Sequence, residues 1–307
     1  MKILQLLPSA FPWIVLSASL LALAHPPTFT WFSGNLITLG LGGIMLGMVL
    51  TLEFKDFKQV TKTPSSILTG FLLQFTLMPF FGWLLGILFG LPPFFAVELI
   101  LVSCCLGGTA SNVIVFLSRL NLALSVSMTA ISTIGAIVLT PLLTSSLSGN
   151  EIDVDAMSLF YSNLKVVLIP VLLGVFLNTH LPKYAPKIKL YSPAFAVILI
   201  TLIVASIIGQ EKEIILNSGF ALILVIMTLH LIGFLTGHIF SKLILKDESV
   251  SRTISIEVGM QNSGLGVVLA KENFINLAVA IPAAFSSLVH SLHGSIFVVL
   301  FKMKSDE

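Results

Sequence analysis

Ten long apolar stretches, separated by short polar segments, constrain this 307-residue chain more than any other feature of its sequence. They lie at 9–24, 33–52, 65–90, 94–118, 121–147, 156–179, 192–208, 214–241, 253–270 and 274–301. About 20 apolar residues suffice for a helix to cross a membrane, and a helix satisfies its own backbone hydrogen bonds in lipid. Spanning strands are excluded because the stretches are too long and do not alternate apolar with polar residues. The sequence therefore predicts an all-α polytopic membrane protein with ten transmembrane helices.

The composition excludes several other classes of protein. Only 10% of the residues are charged and 56% are hydrophobic, whereas soluble domains carry about 25% charged residues. A soluble enzyme, a nucleic-acid binder or a disordered chain would each need more polar surface. The two cysteines, Cys104 and Cys105, are adjacent in an apolar stretch, so no disulfide between them is expected.

The distribution of Lys and Arg predicts the orientation of the chain. A cytoplasmic N-terminus would place thirteen of the sixteen basic residues inside, and only Lys212 and Lys271 outside. The thirteen are Lys2, Lys55, Lys58, Lys62, Arg119, Lys183, Lys187, Lys189, Lys242, Lys246, Arg252, Lys302 and Lys304. The positive-inside rule then predicts an integral plasma-membrane protein, in a bacterium an inner-membrane protein, with both termini cytoplasmic. Alternatively, Lys2 and the apolar run after it form a signal peptide that is cleaved at the A-x-A site Ala22-Leu23-Ala24, which would leave nine helices.

The ten stretches divide evenly into two halves, 1–150 and 151–307. Because each half has five spans, the second half would enter the membrane from the opposite side, as in the inverted repeats of secondary transporters. Segment 107–112 in the fourth span reads GGTASN, and segment 257–264 in the ninth reads EVGMQNSG. Glycine-interrupted polar segments in corresponding helices of two halves indicate a transport site.

Glu257 is the carboxylate that most needs an explanation within the membrane, because an ionised carboxylate there costs at least about 2.5 kcal/mol. Gln261, Asn262 and Ser263 follow it closely, and such oxygen-bearing side chains favour a cation site. The alternative is a protonated glutamate that hydrogen-bonds neighbouring helices. Further partners are Ser111 and Asn112 in the fourth span, Gln74 in the third, and three hydroxyls on one face of the fifth, Ser125, Thr129 and Ser132.

Four other polar residues within spans are given structural or weaker roles. Glu98 and Lys165 are interpreted as structural. Each lies close enough to an interface for its charged end to reach it, although Lys165 is fairly deep. His230 is interpreted as a packing histidine, whereas His290 could line a cavity in the tenth span with neighbouring serines.

The segments 107–112, 121–126 (NLALSV) and 257–264 together resemble the bile acid:sodium symporter family, especially its bacterial members, over nearly the whole chain. The resemblance implies two sodium ions. The first would be held by Ser111, Asn112, Ser125, Thr129 and Glu257. The second would be held by Gln74, Glu257 and Gln261 with the backbone carbonyls of Val258 and Met260.

The same resemblance implies a panel domain of spans 1, 2, 6 and 7 and a core domain of spans 3–5 and 8–10. Spans 4 and 9 would be broken and would cross at the ions, with substrate near Thr109, Asn262, His290 and Ser291. Two positions depart from the family pattern: Leu106, where members often have proline, and Ser291, where bacterial relatives tend to have asparagine. The second departure affects substrate identity more than ion binding.

The sequence is thus interpreted as a sodium-coupled symporter of an organic anion, bile-acid-like or a small carboxylate such as pantoate or pyruvate, acting by alternating access. The expected partners are this anion, sodium ions and membrane lipid, with no nucleic acid and no obligate protein partner. A cation/proton antiporter is the first alternative, which would need a buried aspartate or a carboxylate–lysine pair. An intramembrane hydrolase using Ser286 or Ser287 with His290 is the second.

Overall fold

The computed structural model describes residues 2–51, 63–149, 154–180 and 185–303, and these residues form helices without a regular β-strand. The helices are α1 (Lys2–Ala24), α2 (Pro27–Thr30), α3 (Asn35–Thr51), α4 (Pro64–Leu88), α5 (Pro93–Ser103), α6 (Thr109–Leu117), α7 (Leu122–Leu147), α8 (Ala156–Asn163), α9 (Ile169–His180), α10 (Ala185–Gln210), α11 (Lys212–Leu245), α12 (Glu248–Gly259), α13 (Ser263–Asn273) and α14 (Ile281–Met303). A π-helical turn, Leu164–Leu168, joins α8 to α9, and a 3₁₀ turn, Leu277–Ala280, precedes α14.

The all-helical class predicted from the sequence is confirmed for the described residues. Five helical segments there are long and apolar enough to cross a membrane: Pro64–Leu88, Leu122–Leu147, Ala156–Gly174, Phe220–Leu245 and Ala278–Phe297. Shorter apolar helical segments are Trp13–Ala24, Asn35–Ile44, Pro93–Ser103 and Ala194–Gln210. The fourth and ninth apolar stretches each contain two short helices, because the chain leaves the helical conformation after Ser103 and again after Gly259.

Local sequence explains where these helices begin. Proline occupies the first turn of α4 and α5, where its missing N–H is not needed and its fixed φ suits a helix. Asn121, Asp155 and Asn262 cap α7, α8 and α13, each accepting a hydrogen bond from a backbone N–H in the first turn. Such caps stabilise a helix by about 1 kcal/mol each. The cap at Asn262 fixes the start of α13 immediately after the second break.

A charged cluster closes the turn between α11 and α12. Lys246 adopts a left-handed φ of 58°, and Asp247 caps α12. Glu248 accepts hydrogen bonds from Lys242 Nζ at 2.7 Å and Arg252 Nε at 2.8 Å. These bonds, with that from Lys242 the strongest, lower the pKa of Glu248 to about 2. The cluster holds α12 against α11 just before the chain enters the ninth apolar stretch.

Helix contacts divide the described residues into two packed groups. In one group α10 packs against α1 and α3, and α3 packs against α9. In the other, α11 packs against α12, α4 and α14, and α4 packs against α5 and α7. The groups meet where α14 contacts α1 and α10 and where α13 contacts α3. Both breaks lie within the second group.

Candidate functional site

The two helix breaks lie against each other. Gly108 N donates to Met260 O at 2.9 Å and Asn262 N donates to Leu106 O at 2.8 Å, which pairs the two segments in antiparallel fashion around Gly107 and Gln261. Backbone groups freed by the loss of helix are thereby satisfied within the protein, as a membrane interior requires.

Gly107 and Gly108 permit this close approach. A Cβ on Gly108 would lie 2.7 Å from Gln261 O, a backbone atom that cannot move away easily, and a Cβ on Gly107 would lie 3.2 Å from Glu257 Oε2. The break therefore needs glycine at 108 for space, and Leu106, in the position where the family often has proline, is accommodated as a fully buried side chain.

Glu257 is buried in this crossing, with 2% of its surface exposed. Its Oε1 accepts hydrogen bonds from Ser111 Oγ at 2.6 Å and Ser125 Oγ at 2.5 Å, and its Oε2 accepts one from Thr129 Oγ1 at 3.2 Å. Asn112 adds an amide, with Oδ1 2.7 Å from Ser125 Oγ and Nδ2 3.2 Å from Thr129 Oγ1. The structure thus brings together all five residues of the first predicted sodium group. Ser132, also singled out on this helix face, donates instead to the Thr129 carbonyl.

This oxygen cluster has more short oxygen–oxygen contacts than hydroxyl protons to fill them. Each of the three hydroxyls that contact Glu257 also has a second oxygen neighbour. Ser111 Oγ lies 2.6 Å from Gly108 O, Ser125 Oγ lies 2.7 Å from Asn112 Oδ1, and Thr129 Oγ1 lies 3.1 Å from Ser125 O. Each hydroxyl has one proton for two acceptors. Additional positive charge, from a cation or from a proton on Glu257, is needed to stabilise the arrangement.

The chemistry of the donors favours a hard monovalent cation. Carboxylate, hydroxyl, amide and carbonyl oxygens are ligands for hard cations, whereas transition metals prefer sulfur and imidazole. Nowhere in the described part of the chain do three or more His, Cys, Asp or Glu side chains converge. The single negative charge of the buried Glu257 carboxylate is also balanced better by a monovalent than by a multivalent cation. The donor set therefore fits sodium.

Three members of the second predicted group also come together, namely Gln74, Gln261 and Val258. Gln74 Nε2 donates to Gln261 Oε1 at 2.8 Å and to Cys105 O at 2.9 Å, and Gln261 Nε2 donates to Val258 O at 3.0 Å. Among the described residues, Gln74 Oε1 has no hydrogen-bond partner although it is buried. A buried acceptor without a donor is costly, and a bound cation would satisfy it. Met260 O accepts the hydrogen bond from Gly108 N at the crossing.

The residues proposed to contact substrate lie around the start of α6, the start of α13 and the middle of α14. Thr109 is the first residue of α6, and its side chain is outside what the structure describes. Asn262 is buried and caps α13, with its Nδ2 unpartnered among the described residues. His290 Nε2 lies 3.2 Å from Ser263 Oγ, and Ser291 Oγ donates to Ser287 O at 2.6 Å.

A chain of hydrogen bonds connects His290 to the break after α12. His230 Nδ1 lies 2.8 Å from Gly259 O and therefore donates, which leaves its Nε2 to accept from Ser286 Oγ at 2.7 Å. Ser286 in turn accepts from Ser263 at 2.8 Å, and Ser263 accepts from His290. His230 thus links α11, α12 and α14, a role that the sequence did not reveal. Ser286 bonds to His230, whereas His290 bonds to Ser263, so the Ser286–His290 pair considered for a hydrolase does not form.

The structure corrects one interpretation made from the sequence. Glu98 does not reach an interface; it is fully buried. Lys165 is exposed on the π-helical turn, whereas Glu257 is buried in the crossing. These positions do not provide the carboxylate–lysine pair that an antiporter would need.

Comparison with known proteins identifies the family. The profile of the Sodium Bile acid symporter family matches residues 38–218, more than half of the chain. The chain belongs to the sodium bile acid symporter family.

Individual members of the symporter family match along nearly the whole chain. The probable sodium/metabolite cotransporter BASS1, chloroplastic, of Arabidopsis thaliana is 45% identical over 294 residues, which are 96% of this chain and 73% of that protein. The probable sodium/metabolite cotransporter BASS2, chloroplastic, of rice is 43% identical over 301 residues, which are 98% of this chain and 72% of that protein. The sodium-dependent transporter YocS of Bacillus subtilis is 40% identical over 95% of this chain and 90% of its own. Family and apolar helices together establish an integral, multi-pass membrane protein.

Proposed function

We propose that this protein is a sodium-coupled symporter of an organic anion, and that Glu257 is the charge through which sodium binding is coupled to transport. The observation that carries the proposal is the oxygen cluster at the crossing of the two breaks. The cluster contains one buried carboxylate, three hydroxyls and an amide, and it has fewer hydroxyl protons than short oxygen–oxygen contacts. The sodium dependence that the names of YocS and the BASS proteins state supports the choice of cation.

The proposed ion count is two, with Glu257 shared between them. Its Oε1 and Oε2 face the first group, while its backbone continues into Val258, whose carbonyl belongs to the second. The unpartnered Gln74 Oε1 supports the second ion. Two cations beside one carboxylate leave a net positive charge, which favours binding of an anion nearby.

The proposed substrate is a small carboxylate or a larger, bile-acid-like organic anion, held near Thr109, Asn262, His290 and Ser291. Helix N-termini carry partial positive charge and stabilise anions. The helices α6 and α13 both begin at the crossing, at Thr109 and immediately after Asn262. The unpartnered Asn262 Nδ2 would be one donor to the anion.

The proposed architecture is ten spans in two inverted repeats, 1–150 and 151–307, with both termini cytoplasmic. The junction at 150–153 lies outside the described residues, as do five of the thirteen basic residues that support this orientation: Lys55, Lys58, Lys62, Lys183 and Lys304. The group of α1, α3, α9 and α10 would form the panel, and the group containing both breaks would form the core. Alternating access would then come from movement of the core against the panel.

Uptake into proteoliposomes tests the proposal. Carboxylates, pyruvate and pantoate among them, would first be screened for extra thermal stabilisation in sodium, and the best would be followed as a labelled substrate. We expect uptake to depend on an inward sodium gradient, to be lost in an equal potassium gradient, and to be abolished by Glu257→Ala. Sodium-driven uptake that persists in Glu257→Ala would refute the role of this residue.

A further inference from the structure

Glu98 is a buried carboxyl group that the proposed transport mechanism does not use. It lies in α5, five residues before the chain leaves the helix, and its surface is 0% exposed. Neither of its carboxyl oxygens has a hydrogen-bond partner among the described residues. Glu257, by contrast, is also buried but receives three hydroxyls. An ionised carboxylate buried without partners is strongly disfavoured, and proteins avoid it by keeping the group neutral.

The surroundings of Glu98 are apolar. Its Oε1 lies beside Gly266 of α13, at 3.4 Å from the position that a Cβ there would take. The Val102 and Ala283 side chains approach the same position, at 3.4 Å and 3.1 Å. The absence of a side chain at Gly266 makes room for the carboxyl group, and nothing there donates a hydrogen bond to it.

None of the charged groups on neighbouring helices neutralises Glu98. The helices α4, α7, α13 and α14 and the 3₁₀ turn pack against α5. Their titratable residues, together with the thiols just after α5, are Lys271, Glu272, His290, His293, Lys302, Cys104 and Cys105. Lys271 donates to the Gly34 carbonyl, and His290 contacts Ser263. No described side chain forms an ion pair with Glu98.

The ligand that such a site can take is a proton. A metal cation needs several oxygen ligands, and the described residues place no hydrogen-bonding group on either Glu98 carboxyl oxygen. We propose that Glu98 is a proton-binding site, whose carboxyl group holds its proton at neutral pH in this conformation. A conformation that admitted water between α5 and α13 would release the proton, so the balance between conformations would depend on pH. This inference goes beyond sodium coupling and does not depend on it.

Infrared spectroscopy of the purified protein tests the site directly. A protonated carboxyl group has a C=O stretching band that shifts in D₂O and that ionised carboxylates lack. At neutral pH in saturating sodium, we expect one such band in the native protein, its loss in Glu98→Gln, and its retention in Glu272→Gln, which alters an exposed carboxylate on α13. A spectrum that Glu98→Gln leaves unchanged would overturn the proposal. A spectrum of Glu257→Gln, recorded in parallel, shows whether Glu257 contributes to the same C=O band.

The pH dependence of unfolding gives a second test. The unfolded chain loses the Glu98 proton above its ordinary pKa of about 4.3, while the folded chain retains it. The folded state then binds one more proton, so stability falls as pH rises, by about tenfold in the unfolding equilibrium constant per pH unit. We expect Glu98→Gln and Glu98→Met to remove this slope between about pH 5 and neutral pH. Glu98→Met, apolar and of similar length, keeps the packing if Gln does not fold. Equal slopes in the native protein and both variants would overturn the proposal.

Discussion

Replacing Ser125 by alanine tests whether the oxygen cluster binds sodium. The Ser125 hydroxyl lies 2.5 Å from Glu257 Oε1 and 2.7 Å from Asn112 Oδ1, so its removal takes one oxygen from the centre of the cluster. The matched control is Ser127→Ala. Ser127 is also buried on α7, but its hydroxyl donates to the Ala123 carbonyl of its own helix.

The expected loss follows from the contacts. A hydrogen bond or ligand contact to a charged group contributes about 1.5–3 kcal/mol, which corresponds to a roughly 10- to 150-fold weaker sodium affinity. At a sodium concentration 100 times the native Kd, binding stabilises the native protein by about 2.7 kcal/mol. A tenfold weaker Kd reduces that stabilisation to about 1.4 kcal/mol at the same concentration.

Thermal unfolding in detergent, titrated with sodium against potassium at constant ionic strength, measures this difference. Ser125→Ala should need at least tenfold more sodium to reach the same rise in melting temperature as the native protein, since about 1.4 kcal/mol is tenfold. Ser127→Ala should show the same dependence of the melting temperature on sodium concentration as the native protein. Indistinguishable titrations for both variants would refute the assignment of the Ser125 hydroxyl to a sodium site.

Three further changes probe the surrounding structure. Gly108→Ala should destabilise the protein by about 1–3 kcal/mol, because the new Cβ meets the Gln261 carbonyl at 2.7 Å; an unchanged melting temperature without sodium would contradict this. Ser286→Ala should cost about 1–3 kcal/mol because it leaves the buried His230 Nε2 unpartnered, and normal stability of this variant would contradict a stabilising hydrogen bond between the two residues. The pKa of Glu248 is lowered to about 2 from 4.5, so its ionised form stabilises the folded protein above about pH 4.5, and this stabilisation is lost towards pH 2. Denaturant unfolding should therefore show that the small difference in unfolding free energy between the native protein and Glu248→Gln narrows over that range. A difference that stays constant with pH would contradict a stabilising role for the Glu248 ion pairs.

Much of the site could be predicted because polar residues in an apolar sequence stand out. The glycines at 107 and 108 and the polar residues after Glu257 marked both breaks, and spacing along one helix face placed Ser125 and Thr129 together. These features are local, or repeat with the helical period, and so can be read from the sequence.

The depth of single residues could not be predicted in the same way. A helix that is apolar on all sides does not show which face meets other helices, so the sequence places Glu98 near an interface, whereas the structure buries it completely. The partners of His230 were also hidden, since Gly259 and Ser286 are brought to it from other helices by tertiary packing.

Binding of radiolabelled sodium to the purified protein tests the central claim most directly, because it needs neither a substrate nor a conformational change. The native protein should bind sodium saturably in excess potassium, with two ions per chain at saturation. Glu257→Gln, which keeps the shape of the side chain but removes its charge, should lose both ions, while Glu272→Gln should bind as the native protein does. Full sodium binding in Glu257→Gln would contradict the account.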